Sequence, residues 1–474
     1  MLFPTLDFGL FFIVVFALSW ALHTHADLRK LVLLAASYIF YSYWDWRFTG
    51  LLAASSLINF VGGQLIAAIP FARMKQVMVG IVVAINLAIL IVFKYYGFFL
   101  ESLTDVLADF GFERDIHFLR IILPIGISFF TFHGISYVVD VYRGHVKVSR
   151  SLLDVMLYIS FFPQLVAGPI VRAAHFLPQL EETPVLTRRF LTLGLFLIVV
   201  GLVKKMVIAN YLATDLVDNV FFEPSAYSGA DLLFGVYGYA MQIYCDFSGY
   251  SDMAIGLALL LGYRFRANFD QPYRSRSLQE FWRRWHISLS SWLRDYLYIP
   301  LGGSRGGSFK TYRNLMITML LGGLWHGAAW TFIVWGGLHG LALSFERWLH
   351  HREEKKPRPL IMRGLAGLVG FIVTFHFVCL TWIFFRSPDF TIAWEYLSGL
   401  ADFSTPSAFV TPFLVSLVSI TMLGQFISPR IGPAIASQFE RLPGVVLGLV
   451  LGAALLLIEA LSLEGVAPFI YFQF

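Results

Sequence analysis

No charged residue lies between Arg313 and Glu346, and runs of the same character recur along the whole chain. A helix needs about 20 mostly apolar residues to cross a bilayer. Hydrocarbon in turn leaves a spanning backbone only two forms, the helix and the closed barrel. Runs that meet or approach helical spanning length occupy 8–22, 30–43, 49–69, 76–95, 119–141, 152–171, 189–210, 229–245, 250–264, 313–325, 328–346, 364–386, 408–428 and 443–463. Apolar residues make up 58% of the 474 and charged residues 14%, against about 45–50% and 25% in soluble domains. No soluble fold covers that much apolar side chain with so few charges. The expected fold is therefore all-α and polytopic, with about 11–13 transmembrane helices and further re-entrant or interfacial ones. One membrane domain over 1–474 is the simplest organisation, with N-terminal helices in 1–150, a core in 151–345 and C-terminal helices in 346–474.

The charges that remain are informative. Lys and Arg exceed Asp and Glu by 35 to 30, a net +5. In a membrane protein such an excess reports cytoplasmic loops and anionic headgroups. No basic stripe with stacking aromatics stands outside apolar flanks, so nucleic acid is not an expected partner. Arg29 and Lys30, Arg73 and Lys75, then Arg143, Lys147 and Arg150 mark inside loops. The loop 96–118 is acidic, with Glu101, Asp105, Asp109, Glu113 and Asp115 against Arg114. These alternate as an outside N-terminus requires. The first apolar run lacks a basic leader and reads as a retained span. Cys245 and Cys379 have no metal or disulfide spacing, and the tract 346–358 with His350-His351 reads as a solvated inside loop, not a metal site.

Polar residues inside apolar runs are costly and call for a reason. Three islands stand out. The first, 244–252, places Asp246, Ser248 and Asp252 between apolar runs; it reads either as an interfacial loop turning at Gly249 or as a cavity wall or polar packing network. The second, 280–303, repeats Phe281, Trp282, Trp285, Leu289, Trp292, Leu293 and Tyr296 at helical steps. Arg283, Arg284, His286, Ser290, Arg294 and Asp295 take most of the remaining circumference, as in an interfacial amphipathic helix. The third, 319–340, sets His326 among Gly322, Gly323 and Gly327, with basic flanks on both sides. A chain that enters and returns would put His326 near its deepest point. The segments near Pro163, Gly168-Pro169 and 313–346 are expected to be broken, which at membrane depth requires cover by protein or a watery cavity. His339 lies thirteen residues beyond His326, about 220° away on a continuous helix, so the two are not a metal pair. A neutral imidazole suits general base work near pH 7; no GxSxG elbow is present.

Asp246-Phe-Ser-Gly-Tyr-Ser-Asp252, Glu280-Phe-Trp-Arg-Arg-Trp-His286, Leu324-Trp-His-Gly327 and Trp335-Gly-Gly-Leu-His-Gly340, in that order, resemble the membrane-bound O-acyltransferase family. Within it they are most similar to the bacterial branch that O-acetylates exopolysaccharides such as alginate. The resemblance implies a ring of tilted helices around a central tunnel. It implies that His326 is the catalytic base and that His286 holds the position where family members carry a second Asn or His. It also implies a cytoplasmic acyl thioester such as acetyl-CoA as co-substrate, with no bound cofactor. A periplasmic acetyltransferase partner and a polysaccharide acceptor, in the bacterial inner membrane, complete the expectation. Arg283, Arg284 and Arg294 could bind coenzyme A phosphates or lipid headgroups. Trp325, Trp330, Trp335, Tyr273 and Arg274 could line the substrate path or simply pack. His339 has a packing role on the return helix as its plain reading. Three other functions compete: D-alanyl transfer to teichoic acid by the same fold, lipid or peptide acylation of the eukaryotic type, which the exopolysaccharide-branch motifs disfavour, and transport without chemistry. The absence of an evident inverted duplication speaks against the transporter.

Overall fold

The computed structural model describes residues 1–111, 121–353, 360–404, 406–407, 409–463 and 469–470. Glu113, Arg114 and Asp115 lie outside the described residues, as do the side chains of the His350-His351 tract. Every regular element among the described residues is helical. Helices long and apolar enough to cross a membrane are Ala26–Ala68, Ala72–Asp109, Arg188–Phe222, Gly364–Arg386 and Gly444–Leu461, with shorter apolar helices at Leu6–Ala21 and Pro412–Gly424. The remaining apolar runs sit on helices that are broken or carry a polar island, which is why fewer segments meet that measure than the run count suggested. The protein is a multi-pass membrane protein. Its chain forms two compact units, Met1–Leu186 with Leu257–Phe265, and Thr187–Gly256 with Arg266–Phe474.

In the first unit, the helices Ala26–Asp45 and Thr49–Ala68 are joined by the single 3-10 turn Trp46–Phe48. Asn59 and Asn86 exchange amide hydrogen bonds of 3.0 Å between Thr49–Ala68 and Ala72–Asp109. The break expected near Pro163 is present. Leu152–Ser160 stops, one helical turn Phe162–Leu165 follows with Pro163 in its first turn, and the path to Arg172 is irregular. Arg29 and Lys30 are a correction to the loop reading. Both lie inside the Ala26–Asp45 helix and are buried. Arg29 donates to Tyr263 Oη at 2.8 Å, to Ser19 Oγ at 3.0 Å and to the Leu261 carbonyl; Lys30 pairs with Asp154 at 2.7 Å. Their charge is spent on internal partners and does not count toward orientation.

In the second unit, Arg188–Leu202 continues through two π-helical stretches, Val203–Ala209 and Ala213–Val217, to Phe222. The runs 229–245 and 250–264 form one helix, Gly229–Leu260, whose last turn falls in the first unit. Gly249 therefore makes no turn. It serves close packing instead: a Cβ there would stand 2.8 Å from the Gly201 carbonyl oxygen. The amphipathic segment is also not one helix. It divides into Leu278–Arg284 and Ile287–Leu293, followed by the π turn Arg294–Tyr298.

Candidate active site

The site is built within the second unit on two interruptions of helical order. The first separates Ser308–His326 from Trp330–Glu353 at residues 327–329, so His326 is the last residue of its helix. Glycine makes this hairpin tight. A Cβ on Gly323 would press on the Phe332 carbonyl and lie 3.2 Å from Gly336 Cα; one on Gly336 would press on the Met319 carbonyl. Small residues let membrane helices approach to backbone contact. His326 is 4% exposed, with ring centroids of Trp325 and Trp335 each 5.0 Å away and Phe385 at 5.3 Å.

Its tautomer follows from its partner. His326 Nδ1 lies 2.7 Å from the Gly322 carbonyl oxygen, and a carbonyl only accepts. Nδ1 therefore carries a proton, and in the neutral ring Nε2 keeps the lone pair.

The second interruption is His286 itself, at φ 41 and ψ 56 between two short helices. A non-glycine residue rarely holds this left-handed conformation unless its surroundings impose it. Asn268 does so. Its carbonyl accepts the Ile287 N–H at 2.8 Å. Its side-chain Oδ1 accepts the Ser288 N–H at 3.1 Å and the Ser288 hydroxyl at 2.8 Å, and lies 3.2 Å from His286 Nδ1. The amide's other end donates to Ser251 Oγ at 3.1 Å. A backbone N–H can only donate, so Oδ1 is the acceptor and His286 Nδ1 carries a proton. His286 Nε2 is then a lone-pair nitrogen, fully buried and without a hydrogen-bond partner among the described residues. Phe247 meets this ring edge-on at 4.6 Å, and Trp325 stands 6.0 Å from it, between the two histidines.

His339 has the opposite proton arrangement. The Trp282 indole N–H, which can only donate, reaches His339 Nδ1 at 3.3 Å. Nε2 then carries the proton and donates to Thr381 Oγ1 at 3.0 Å, which passes its own to the Val378 carbonyl at 2.8 Å. Both nitrogens are engaged. The helix break nevertheless sets His326 and His339 against one indole, Trp335, at 5.0 and 4.9 Å. The angle computed for an unbroken helix does not apply.

The first island is a network of ion pairs. Asp246 pairs with Lys205 and accepts the Ile470 N–H at 2.8 Å; Asp252 pairs with Lys204 at 2.7 Å. Ser248 is buried beside them. The other candidates divide. Tyr273 donates to the Ala240 carbonyl at 2.7 Å and accepts from the Trp382 indole at 3.2 Å. Arg284 is held by Glu280 at 2.9 Å and Asp270 at 2.8 Å; Arg274 lies 3.7 Å from Asp270, and Arg294 is 2.6 Å from Asp295. Arg283 is exposed. Trp330, at the start of its helix, is 54% exposed.

Lys204, Lys205 and Asn268 were not singled out from the sequence. The lysines sit in an apolar run where their charge was itself the signal. For Asn268 no local pattern announces that a loop residue clamps a histidine eighteen positions on.

An all-helical membrane protein with a base-competent imidazole buried at a helix break is the frame of an integral-membrane O-acyltransferase. The chain belongs to the membrane-bound O-acyltransferase family, whose model matches residues 38–385. It is 44% identical to the "Probable alginate O-acetylase AlgI" of Azotobacter vinelandii over 80% of this chain and 74% of that one. It is 37% identical to the peptidoglycan O-acetyltransferase of Helicobacter pylori, over 78% and 73%. It is 29% identical to the teichoic acid D-alanyltransferase of Bacillus subtilis, over 56% and 69%.

Proposed function

We propose that this O-acyltransferase moves an acetyl group from a cytoplasmic acyl thioester, acetyl-CoA being the simplest, to a hydroxyl acceptor across the bacterial inner membrane. The end result is O-acetylation of an exopolysaccharide such as alginate, through a periplasmic acetyltransferase partner. In this reading His326 Nε2 takes the proton of the acceptor hydroxyl as its oxygen attacks the acyl carbon. The C–S bond then breaks, and the proton passes from His326 to the leaving thiolate. His286, with its lone pair on Nε2, accepts a hydrogen bond from a second donor group of the bound acceptor, not from the hydroxyl whose one proton His326 takes, and so helps hold the acceptor in place. It does not serve as the donor to the developing oxyanion. Arg283, which is exposed, would meet an anionic donor, whereas Arg274, Arg284 and the equally exposed Arg294 have carboxylates beside them. His339, Tyr273, Trp325 and the island of Asp246, Ser248 and Asp252 support the chamber.

The observation that carries this reading is the tautomer of His326, which leaves a buried lone pair at a helix break. Alginate is favoured over other acceptors by the 44% relative. Transfer of D-alanine is the second reading; its relative shares less identity and less of the chain. The test is the acetyl ester content of the host's surface polysaccharide with His326→Ala in place of the wild type, at equal membrane level. Loss of ester is expected. Unchanged ester would remove both the base and the acetyl assignment.

A further inference from the structure

Acyl transfer has a requirement that the histidines do not meet. As the tetrahedral intermediate forms, the former carbonyl oxygen gains negative charge and must be met by a donor already in place. The neutral rings of His326 and His286 have both committed their Nδ1–H, to the Gly322 carbonyl and to Asn268 Oδ1, and offer only lone pairs. The Nε2–H of His339 is committed to Thr381.

Trp335 has what they lack. An indole nitrogen is a donor and never an acceptor. Trp335 is fully buried, and its Nε1–H makes no hydrogen bond among the described residues. Leaving a buried donor unsatisfied is costly, and the surroundings are not short of acceptors. Two indoles packed on the same ring both find one. Trp382, stacked at 5.8 Å and 15°, donates to Tyr273 Oη; Trp282, at 5.7 Å, donates to His339. Trp285 Nε1 likewise makes no hydrogen bond among the described residues, but Trp335 carries its unused N–H on a ring 5.0 Å from His326.

We propose that the Nε1–H of Trp335 is the oxyanion donor of this site, an inference that rests on the acyl-transfer reading above. The acceptor oxygen bonds to the acyl carbon while its proton moves to His326 Nε2. The carbonyl electron pair moves onto oxygen, which Trp335 holds. That pair then returns, the C–S bond breaks, and the thiolate takes the proton back from His326. Trp335 loses no proton at any step.

The test uses the full-length protein in a host strain lacking its own copy. The initial rate at which labelled acetate enters polysaccharide ester is measured at matched membrane levels. Trp335→Phe removes the N–H but also shrinks the ring. Benzothienylalanine at 335 keeps the bicyclic shape and replaces N–H by sulfur. Both are expected to lose rate on the order of 10²-fold, whereas Trp382→Phe retains most of it. A wild-type rate in Trp335→Phe overturns the inference, as does recovery with the sulfur isostere, which would assign the loss to ring volume. Absence of any ester in the wild-type strain, or full ester in His326→Ala, would instead bring down the acetyl-transfer reading beneath it.

Discussion

Alanine at Gly323 tests how tightly the chemistry is tied to the hairpin. The new Cβ would press on the Phe332 carbonyl oxygen and lie 3.2 Å from Gly336 Cα, whereas carbon and carbonyl oxygen meet at about 3.3–3.6 Å even in close helix contacts. Both obstacles are backbone, so no side chain can swing aside. The helices must part by on the order of 1 Å, a misplacement that can cost about 10²-fold in rate. His326 ends one of these helices and Trp335 immediately precedes Gly336 on the other, so parting them separates base from indole. Overpacking of this kind destabilises by about 1–3 kcal/mol, small enough for the protein still to insert. The expected result is a fall in ester formation of about 100-fold at near-normal membrane level. The same pair of helices supplies a control. A Cβ on Gly337 meets only Leu320 Cδ2, at 3.6 Å, and one on Gly322 meets Leu293 Cδ1 at 3.2 Å. Gly337→Ala should be nearly silent, and Gly322→Ala intermediate. Wild-type ester in Gly323→Ala, or equal damage at Gly337, would refute the argument.

Two further expectations concern the support of the site. Lys205→Met strands the Asp246 carboxylate, whose side chain is 3% exposed against 2% for the lysine; breaking such a pair costs about 3–5 kcal/mol. A thermal melt in detergent should show the loss, and Lys205→Met with Asp246→Leu should restore much of it. Asn268→Leu removes the acceptor shared by His286 and Ser288 and should reduce ester formation well below Asn268→Asp, which keeps an acceptor oxygen; equal rates in the two would show that the clamp does not matter.

The helical membrane fold could be read from run length and charge scarcity because the bilayer restricts the backbone so strongly. The break beside His326 was legible for the same reason, since the flanking charges demanded a return. What could not be read is where polar groups find partners. For Asp246 and Asp252 a loop and a polar network both stayed open, because their lysines lie some forty residues earlier and pairing at that range has no local period. Arg29 and Lys30 likewise counted as loop charges until Tyr263, Ser19 and Asp154 were seen to satisfy them. The amphipathic pattern over 280–298 was real, yet helical periodicity says nothing about a single residue turned left-handed between two pieces of helix.

That left-handed residue has a consequence for the history of such sites. A position held at φ 41 admits few side chains before chemistry is considered at all. Glycine adopts it freely, asparagine and histidine tolerate it, and β-branched residues resist it. The resemblance implies asparagine or histidine at this position, and both are residue types that such a backbone tolerates. A lineage could exchange one for the other without rebuilding the turn, keeping a polar group at the same point of the chamber. Imidazole, carboxamide and carboxylate are the polar tools this bend in the chain most readily carries.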